Sequence, residues 1–378
     1  MHHDPNFLQF VWFALIGILW TGYFVLEGFD FGVGMLVRPL GRDRTERRMI
    51  IHTIGPVWDG NEVWLLVAGG ATFAAFPGWY ASTFSGFYLA LFLVLAALIV
   101  RGVSFEFWGK VPSDRWRSTW EWAMAIASGA AALLFGVAWA NFIHGVPMDA
   151  QHEVHASLLD LLHPYALLGG LTTLSLFAAH GASFLSLRTT GDLCDRAVTA
   201  ARRLTPVAAA LMVAFLVWTV IDQSYAGAVI GVAVVAAVAA VALPLAAARR
   251  GAGETFGVSV AAIVLLTAVL FVALYPNALP STTNHTFDLS LAAASSSSYT
   301  LTVMTVVAII FVPIVLAYQA WTYWVFRHRL GRDDYEGPVN PLAVFDHHRD
   351  GTARGHETRD RHDGRPLSPG ATPPAGPG

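Results

Sequence analysis

Charge is scarce in this sequence. Asp, Glu, Lys and Arg together make up 13% of its 378 residues, against about a quarter in a typical soluble domain. Cysteine is scarcer still: the single Cys194 excludes an intrachain disulfide and any cysteine-rich metal or iron–sulfur centre. The N-terminus, MHHDPNFLQF, lacks both a basic stretch and a small-residue cleavage site. It does not read as a secretory signal peptide, so the first hydrophobic segment is expected to stay in the mature chain. The net charge of −3 by itself identifies no partner, and no nucleic acid is expected.

Paired histidines are lacking too. Of 14 His, only His180 falls clearly inside an apolar segment, while His52 and His163 fall at segment ends. A haem held in a helical bundle needs axial His or Met on facing helices at similar depth. With nothing opposite His180, that residue reads as a satisfied core polar group, and Met124 and Met212 read as packing residues. No metal and no cofactor is expected within this chain.

What the sequence has in abundance is hydrophobic surface: 55% of residues, with a mean hydropathy of +0.53. Apolar runs of 18 residues or more recur along it, each long enough to cross a bilayer as a helix. The pattern predicts an all-α polytopic membrane protein with nine spans, at roughly 7–37, 51–75, 79–100, 118–143, 161–187, 204–222, 226–247, 254–276 and 299–326. All 23 Lys and Arg lie in segments 38–50, 101–117, 188–203, 248–253 and from 327 onward, while the alternate loops 76–78, 144–160, 223–225 and 277–298 carry none. By the positive-inside rule the N-terminus then lies outside and the C-terminus in the cytoplasm. Residues 331–378, rich in Gly, Pro, Arg, Asp and His without apolar periodicity, are expected to be a disordered, solvated tail.

A faint internal repeat relates GVGMLVRPLGRDRTERR, ending the first span, to HGASFLSLRTTGDLCDRAV, ending the fifth. Four spans separate them, as a parallel repeat of two four-helix units requires. The chain accordingly divides into a first unit (1–147), a second unit plus a ninth span (148–330), and the tail. Ionisable residues concentrate in the first unit.

Charges within a span cost about 2.5–3.5 kcal/mol each on insertion scales, so they carry a functional hypothesis by default. Glu27 and Asp30 occur in LEGFDFGVG, and Asp59 and Glu62 in GPVWDGNEVW, between Trp58 and Trp64. Counting from Arg38 at ~1.5 Å per residue puts the first pair roughly 16 and 12 Å above the cytoplasmic edge. Counting from Arg48 puts the second pair about 16 and 21 Å in. Four carboxylates near one depth are too many to stay ionised together, and groups poised that way pass protons. Asp59 and Glu62, at i and i+3, share a helix face, and Pro56 predicts a kink just below them. Arg101, at the end of the third span, is a counter-charge within reach of Asp30 or Asp59. Glu106 and Lys110 form an i, i+4 pair where protons would enter. The plainer reading makes Arg101 and one carboxylate a buried pair that only fixes packing.

The stretches GFDFGVGML, ERRMIIHTIGPVWDGNEVWLLVAGGATFAAFP, FSGFYLALFLVLAALIVRGVSFEFWGK and RWRSTWEWAMAIASGAAALLFGVAWANFIHGVP resemble subunit II of the cytochrome bd-type quinol oxidases, over roughly residues 21–147. The resemblance implies a haem-free subunit of a respiratory complex that oxidises quinol in the bacterial cell membrane and reduces O2 to water. It implies a partner, subunit I, carrying two haems b and one haem d, with or without a small accessory subunit. Some members of that family also hold a quinone in subunit II as a structural lipid. Position by position, the resemblance makes Asp59 the carboxylate that relays cytoplasmic protons toward the oxygen-reducing haem. It makes Glu106 (often Asp in the family) and Lys110 the mouth of that path, and Asp30 and Arg101 buried charges beside it. Glu62 falls where members vary between Glu and Gln, and Trp64 matches a tryptophan near the O2 entry tunnel; Trp58 is equally well plain packing. Two rivals are a purely structural scaffold for subunit I and a proton-coupled secondary transporter. The transporter is disfavoured because the second unit lacks a charged mid-helix break.

Overall fold

The structure is a computed structural model that describes residues 5–222, 227–249 and 251–336. The expected loop 223–225, and the expected tail beyond residue 336, lie outside the described residues. Asn6 opens the first helix, α1 (Phe7–Leu40), with a reciprocal capping box: its side chain accepts from the Gln9 amide and the Gln9 side chain accepts from the Asn6 amide. At ~1.5 Å per residue such a helix outruns the ~30 Å apolar core of a bilayer, so both ends emerge. Asp43 then caps α2 (Arg44–Ile54), an amphipathic helix carrying four basic residues if His52 is counted.

The chain continues through α3 (Trp58–Ala75), α4 (Pro77–Gly86), α5 (Tyr88–Phe107), α6 (Asp114–His144), α7 (Pro164–Arg188), α8 (Gly191–Asp222), α9 (Gly227–Ala248) and α10 (Ala252–Leu274). A short two-stranded ladder, Asn277–Leu279 with Leu289–Ser290, precedes α11 (Leu291–Ala294), α12 (Ser298–Val325) and α13 (Asp333–Glu336). Among the described residues eight helices are long and apolar enough to cross a membrane, and nine when α3 and α4, joined at a 119° bend, are taken as one span. The expected nine-span, all-α architecture agrees with this count.

Two boundaries differ from expectation. The second span is no single kinked helix: Gly55–Pro56–Val57 separates α2 from α3 altogether. Proline at 56 has no N–H for the carbonyl four residues earlier, and α2 is too polar to continue into the apolar layer. The third crossing is α5, and the start expected for it (residue 79) belongs to the separate short helix α4.

Helix α1 runs through the middle, packed against α3, α6, α7 and α10. Its closest neighbour is α7, because Gly32 faces Gly181: a Cβ on Gly32 would fall on the Phe177 carbonyl oxygen and within 2.7 Å of the Gly181 backbone. Small residues let two backbones approach where water cannot drive association. Above the crossing, rings of Trp20, Tyr23, Phe135 and Trp139 interlock, with Trp20 and Trp139 centroids 5.1 Å apart.

The two ends of the bundle differ in chemistry. At one end, loops 144–160 and 277–298 fold together: Val146 bridges to Ser281, whose hydroxyl donates to the Met148 carbonyl at 3.0 Å. At the other, the basic segments meet: Arg38 pairs with Glu121 at 2.9 Å, Arg196 with Glu46 at 2.6 Å, and Arg332 with Asp43 at 2.5 Å. Residues 333–336 form a separate short unit.

Candidate functional site

Helices α1, α3, α5 and α12 enclose a polar group inside the apolar layer. Glu27, Asp30, Asn61 and Arg101 all have no solvent exposure. Glu27 and Asp30 lie on α1 one turn apart, and Arg101 reaches them from α5. The Arg101 guanidinium donates to Glu27 Oε1, not to Asp30 or Asp59 as expected. Its carbon also stands 4.9 Å from the Phe31 ring centre and 5.5 Å from that of Phe105, a cation–π sandwich.

Asp30 is served by a neutral partner. The Asn61 amide donates to Asp30 Oδ2 at 2.7 Å. The amide oxygen in turn accepts from Tyr323 Oη at 2.7 Å and from Gln319 Nε2 at 3.1 Å, both on α12. Trp64 Nε1 donates to Gln319 Oε1 at 3.2 Å, which ties the tryptophan between α3 and α12. Five buried polar atoms here, Tyr23 Oη, Glu27 Oε2, Asp30 Oδ1, Arg101 Nε and Arg101 Nη2, have no partner among the described residues. Atoms of this kind are those that internal water bonds.

Asp59 stands apart. Four carboxylates at one buried depth were expected, but Asp59 is exposed on the outer surface of the chain and Glu62 is half-buried. The hydrogen bond from Asn61 sets Asn61 level with Asp30, and two residues of helix place Asp59 ~3 Å lower, so ~9 Å above Arg38 rather than ~16 Å. The break at Gly55–Val57 accounts for the difference, since the count from Arg48 assumed one continuous helix. Helix α3 turns only Asn61, Ala68 and Ala75 fully inward, and Asp59 falls on its other side.

Around the α2–α3 break a cavity of about 450 Å³ opens, lined by Arg44, Arg48, His52, Trp58, Glu106 and Arg117 among others. Trp58 forms one wall, stacked on Phe105 with centroids 4.7 Å apart. Glu106 and Lys110 are exposed, but they form no i, i+4 helical pair. Helix α5 ends at Phe107, and Lys110 sits in the following turn, its amide bonded to the Phe107 carbonyl.

His180, the one histidine expected well inside a span, has both nitrogens engaged, with Ser259 Oγ at 2.6 Å and the Val25 carbonyl at 3.0 Å. Its ring stacks on Phe256 at 4.7 Å. Such a residue fits a packing role and does not fit an axial haem ligand. A second, apolar cavity of about 590 Å³ lies between α1, α3, α4, α5 and α6, walled by Trp20, Leu65, Leu66, Trp79 and Trp139 among others.

Asn61, Gln319 and Tyr323 were not anticipated. The signal was there: an Asn between two carboxylates in WDGNEVW, and two polar residues four apart in the ninth apolar run (YQAWTY). Polar side chains at helical spacing inside a span point inward.

The model for "Cytochrome bd terminal oxidase subunit II" matches residues 8–326. The "Cytochrome bd ubiquinol oxidase subunit 2" of Bacillus subtilis (strain 168) is 39% identical over 331 residues, covering 86% of this chain and 98% of the relative. The "Cytochrome bd-I ubiquinol oxidase subunit 2" of Escherichia coli (strain K12) is 36% identical over 376 residues, covering 90% of this chain and 99% of that one. A chain in the solved structure of the bd oxidase from Geobacillus thermodenitrificans superposes with a TM-score of 0.69 at 16% identity, over 85% of this chain and 99% of that chain, a likeness of fold. With matches of this length, the chain belongs to the cytochrome bd terminal oxidase subunit II family.

Proposed function

We propose that this chain is the haem-free subunit of a quinol:O2 oxidoreductase in the bacterial cell membrane, that it docks on a haem-bearing subunit I, and that it leads cytoplasmic protons toward the site of O2 reduction. Haems bound in that partner would supply the electrons for O2. This chain's part is to bind the partner and to move protons. The observation that carries the reading is the outward placement of Asp59 next in sequence to Trp58, which walls a polar cavity that also holds Glu106. A carboxylate at membrane depth on an uncovered helix face would be costly against lipid. A partner surface on that face removes the cost and gives the proton somewhere to go.

In this scheme a proton enters at the exposed Glu106 and Lys110 and crosses the cavity. It is then held on the Asp59 carboxylate. Arg101 does not neutralise Asp59, because its guanidinium is committed to Glu27. The gathering of Arg38, Arg47, Arg196 and Arg332 at one end of the bundle supports a cytoplasmic position for that end, hence an outside N-terminus. The crossing of Gly32 with Gly181 supports two four-helix units meeting at α1 and α7, with α12 as the ninth span. Trp64, pinned by Gln319 beside the Leu65 and Leu66 that line the 590 Å³ apolar cavity, is consistent with an O2 route along that side.

The test is Asp59→Asn in the assembled oxidase. Haem content should stay normal while O2 reduction slows tenfold or more, and Asp59→Glu should restore much of the rate. Turnover unchanged in Asp59→Asn would refute the proton path. That result would leave the second reading, a scaffold for subunit I, which the pairing of Glu27 with Arg101 favours.

A further inference from the structure

We propose that the 450 Å³ cavity between α2, the α5–α6 turn and α6 binds a phosphate group, supplied by the headgroup of an anionic phospholipid or by free phosphate. Arg117 on α6 carries the argument. It is only 7% exposed, yet its Nε has no hydrogen-bond partner among the described residues. Its nearest carboxylate oxygen is Asp114 Oδ1 at 3.5 Å, on a side chain 96% exposed, and its guanidinium carbon sits 5.9 Å from the centre of the Trp108 ring. An idle N–H on a buried cation is costly, and the planar guanidinium fork matches the oxygens of a phosphate.

The neighbouring buried carboxylate is already occupied. Glu121 accepts from Arg38 at 2.9 Å, Arg47 at 3.3 Å and Trp108 Nε1 at 3.2 Å. Arg117 is therefore not the counter-ion of a protein acid within the cavity. Opposite it, α2 presents Arg44 and Arg48, four residues apart on one helix face and both lining the same space. Against these three guanidinium groups the wall sets one carboxylate, Glu106. An anion at the Arg117 side is favoured, and Glu106 opposes it.

The position suits a lipid headgroup. Trp58 and Trp108 line the cavity, and Trp116 and Trp120 on the same first turns of α6 as Arg117 pack against each other, 5.6 Å apart. Tryptophans gather at the headgroup level of a bilayer, and basic pockets between helices on the cytoplasmic side hold anionic headgroups. The stacked Trp58–Phe105 pair offers apolar surface where an acyl chain would begin.

The test uses the purified, delipidated oxidase complex, titrated with short-chain phosphatidylglycerol and followed by native mass spectrometry. Binding should weaken at least tenfold in Arg44→Gln combined with Arg117→Gln. The surface change Arg44→Gln alone should weaken it severalfold, which keeps the test alive if the Arg117 variant does not assemble. Glu106→Gln should tighten binding, an effect that a packing defect would not produce. If inorganic phosphate displaces the lipid, free phosphate is a source; if it does not, the lipid headgroup is the ligand. Equal phosphatidylglycerol binding by the wild type and both Arg variants overturns the proposal. Asp59→Asn should leave lipid binding unchanged, so failure of the proton path and failure of this site are separable.

Discussion

Removing Arg101 should destabilise the chain more than any other single change in the membrane-embedded charges. Arg101 and Glu27 are both fully enclosed, and the guanidinium is sandwiched between Phe31 and Phe105. Arg101→Met keeps most of the side-chain volume but leaves the Glu27 carboxylate without its cation. Breaking a buried pair from one side costs about 3–5 kcal/mol, or roughly two to nearly four orders of magnitude in the folded-to-unfolded ratio. The double variant Glu27→Leu/Arg101→Met removes both charges, and apolar replacements of buried pairs are often neutral or stabilising. The double variant should therefore recover at least about 2 kcal/mol of what the single variant lost. The assay is SDS-titrated unfolding of the purified complex, with helix content read by circular dichroism for wild type, both single variants and the double. If the single costs simply add, Glu27 and Arg101 do not act as a pair. If Arg101→Met costs under about 1 kcal/mol, the site is wetter than its enclosure implies.

Other consequences can be checked in the same preparations. Asn61→Leu strips the hydrogen-bond partners from Asp30, Gln319 and Tyr323 together; at about 1–3 kcal/mol per buried polar group left unpaired, it should loosen α12, seen as faster hydrogen exchange there with α7 unchanged. Gly32→Ala drives a methyl group into the α7 backbone. Overpacking of this kind costs about 1–3 kcal/mol, so assembled complex on native gels should fall, whereas Gly257→Ala on α10, with open space around it, should leave it unchanged. Asp43 caps α2, and the Glu46 backbone N–H bond, helped by Arg332, holds its carboxyl below the ordinary range. A lowered folded pKa gives stability that is complete above the unfolded value near 4 and is lost as pH falls through the folded value. Asp43→Ala should therefore cost about 1 kcal/mol at neutral pH, and the melting difference from wild type should shrink as pH drops from 5 toward 3.

How much of this was legible follows from what each feature depends on. The crossing helices and the basic end depend on local composition, so they could be read along the chain. The Gly55–Pro56 signal could be read as an interruption, but whether a helix bends or parts depends on what its two sides contact. The depth of Asp59 was overestimated for that reason. Partner choice at Arg101 depends on helix phase: Glu27 and Asp30 are three residues apart, and a rotation of less than one turn decides which one Arg101 meets. The burial of Asp59 depends on which face of α3 meets α1. That phase is fixed by Asn61, the neutral residue between the two acids, because its amide both donates to Asp30 and accepts from α12. Charge marked the region, and an uncharged amide organised it.

The same amide accounts for the place of α12. Only Leu301 of its 28 residues is fully buried, so apolar packing within this chain holds it weakly. In lipid, apolar side chains gain little by leaving one hydrocarbon surface for another, and helix association turns on close packing and polar contacts. Helix α12 has polar contacts at both ends: Trp12 Nε1 donates to the Leu301 carbonyl and to Thr305 Oγ1 at 3.2 and 3.0 Å near one end, and Gln319 and Tyr323 bond Asn61 near the other. Both anchors reach α1 and α3, where the buried acids lie. An Asp30 carboxylate that lacks a cation needs its donor amide oriented, and the two α12 donors orient that amide through its oxygen. Helix α12 is thus an extension of the polar interior around α1 and α3, and its stability should follow that of Asn61 more closely than that of any apolar residue on α12.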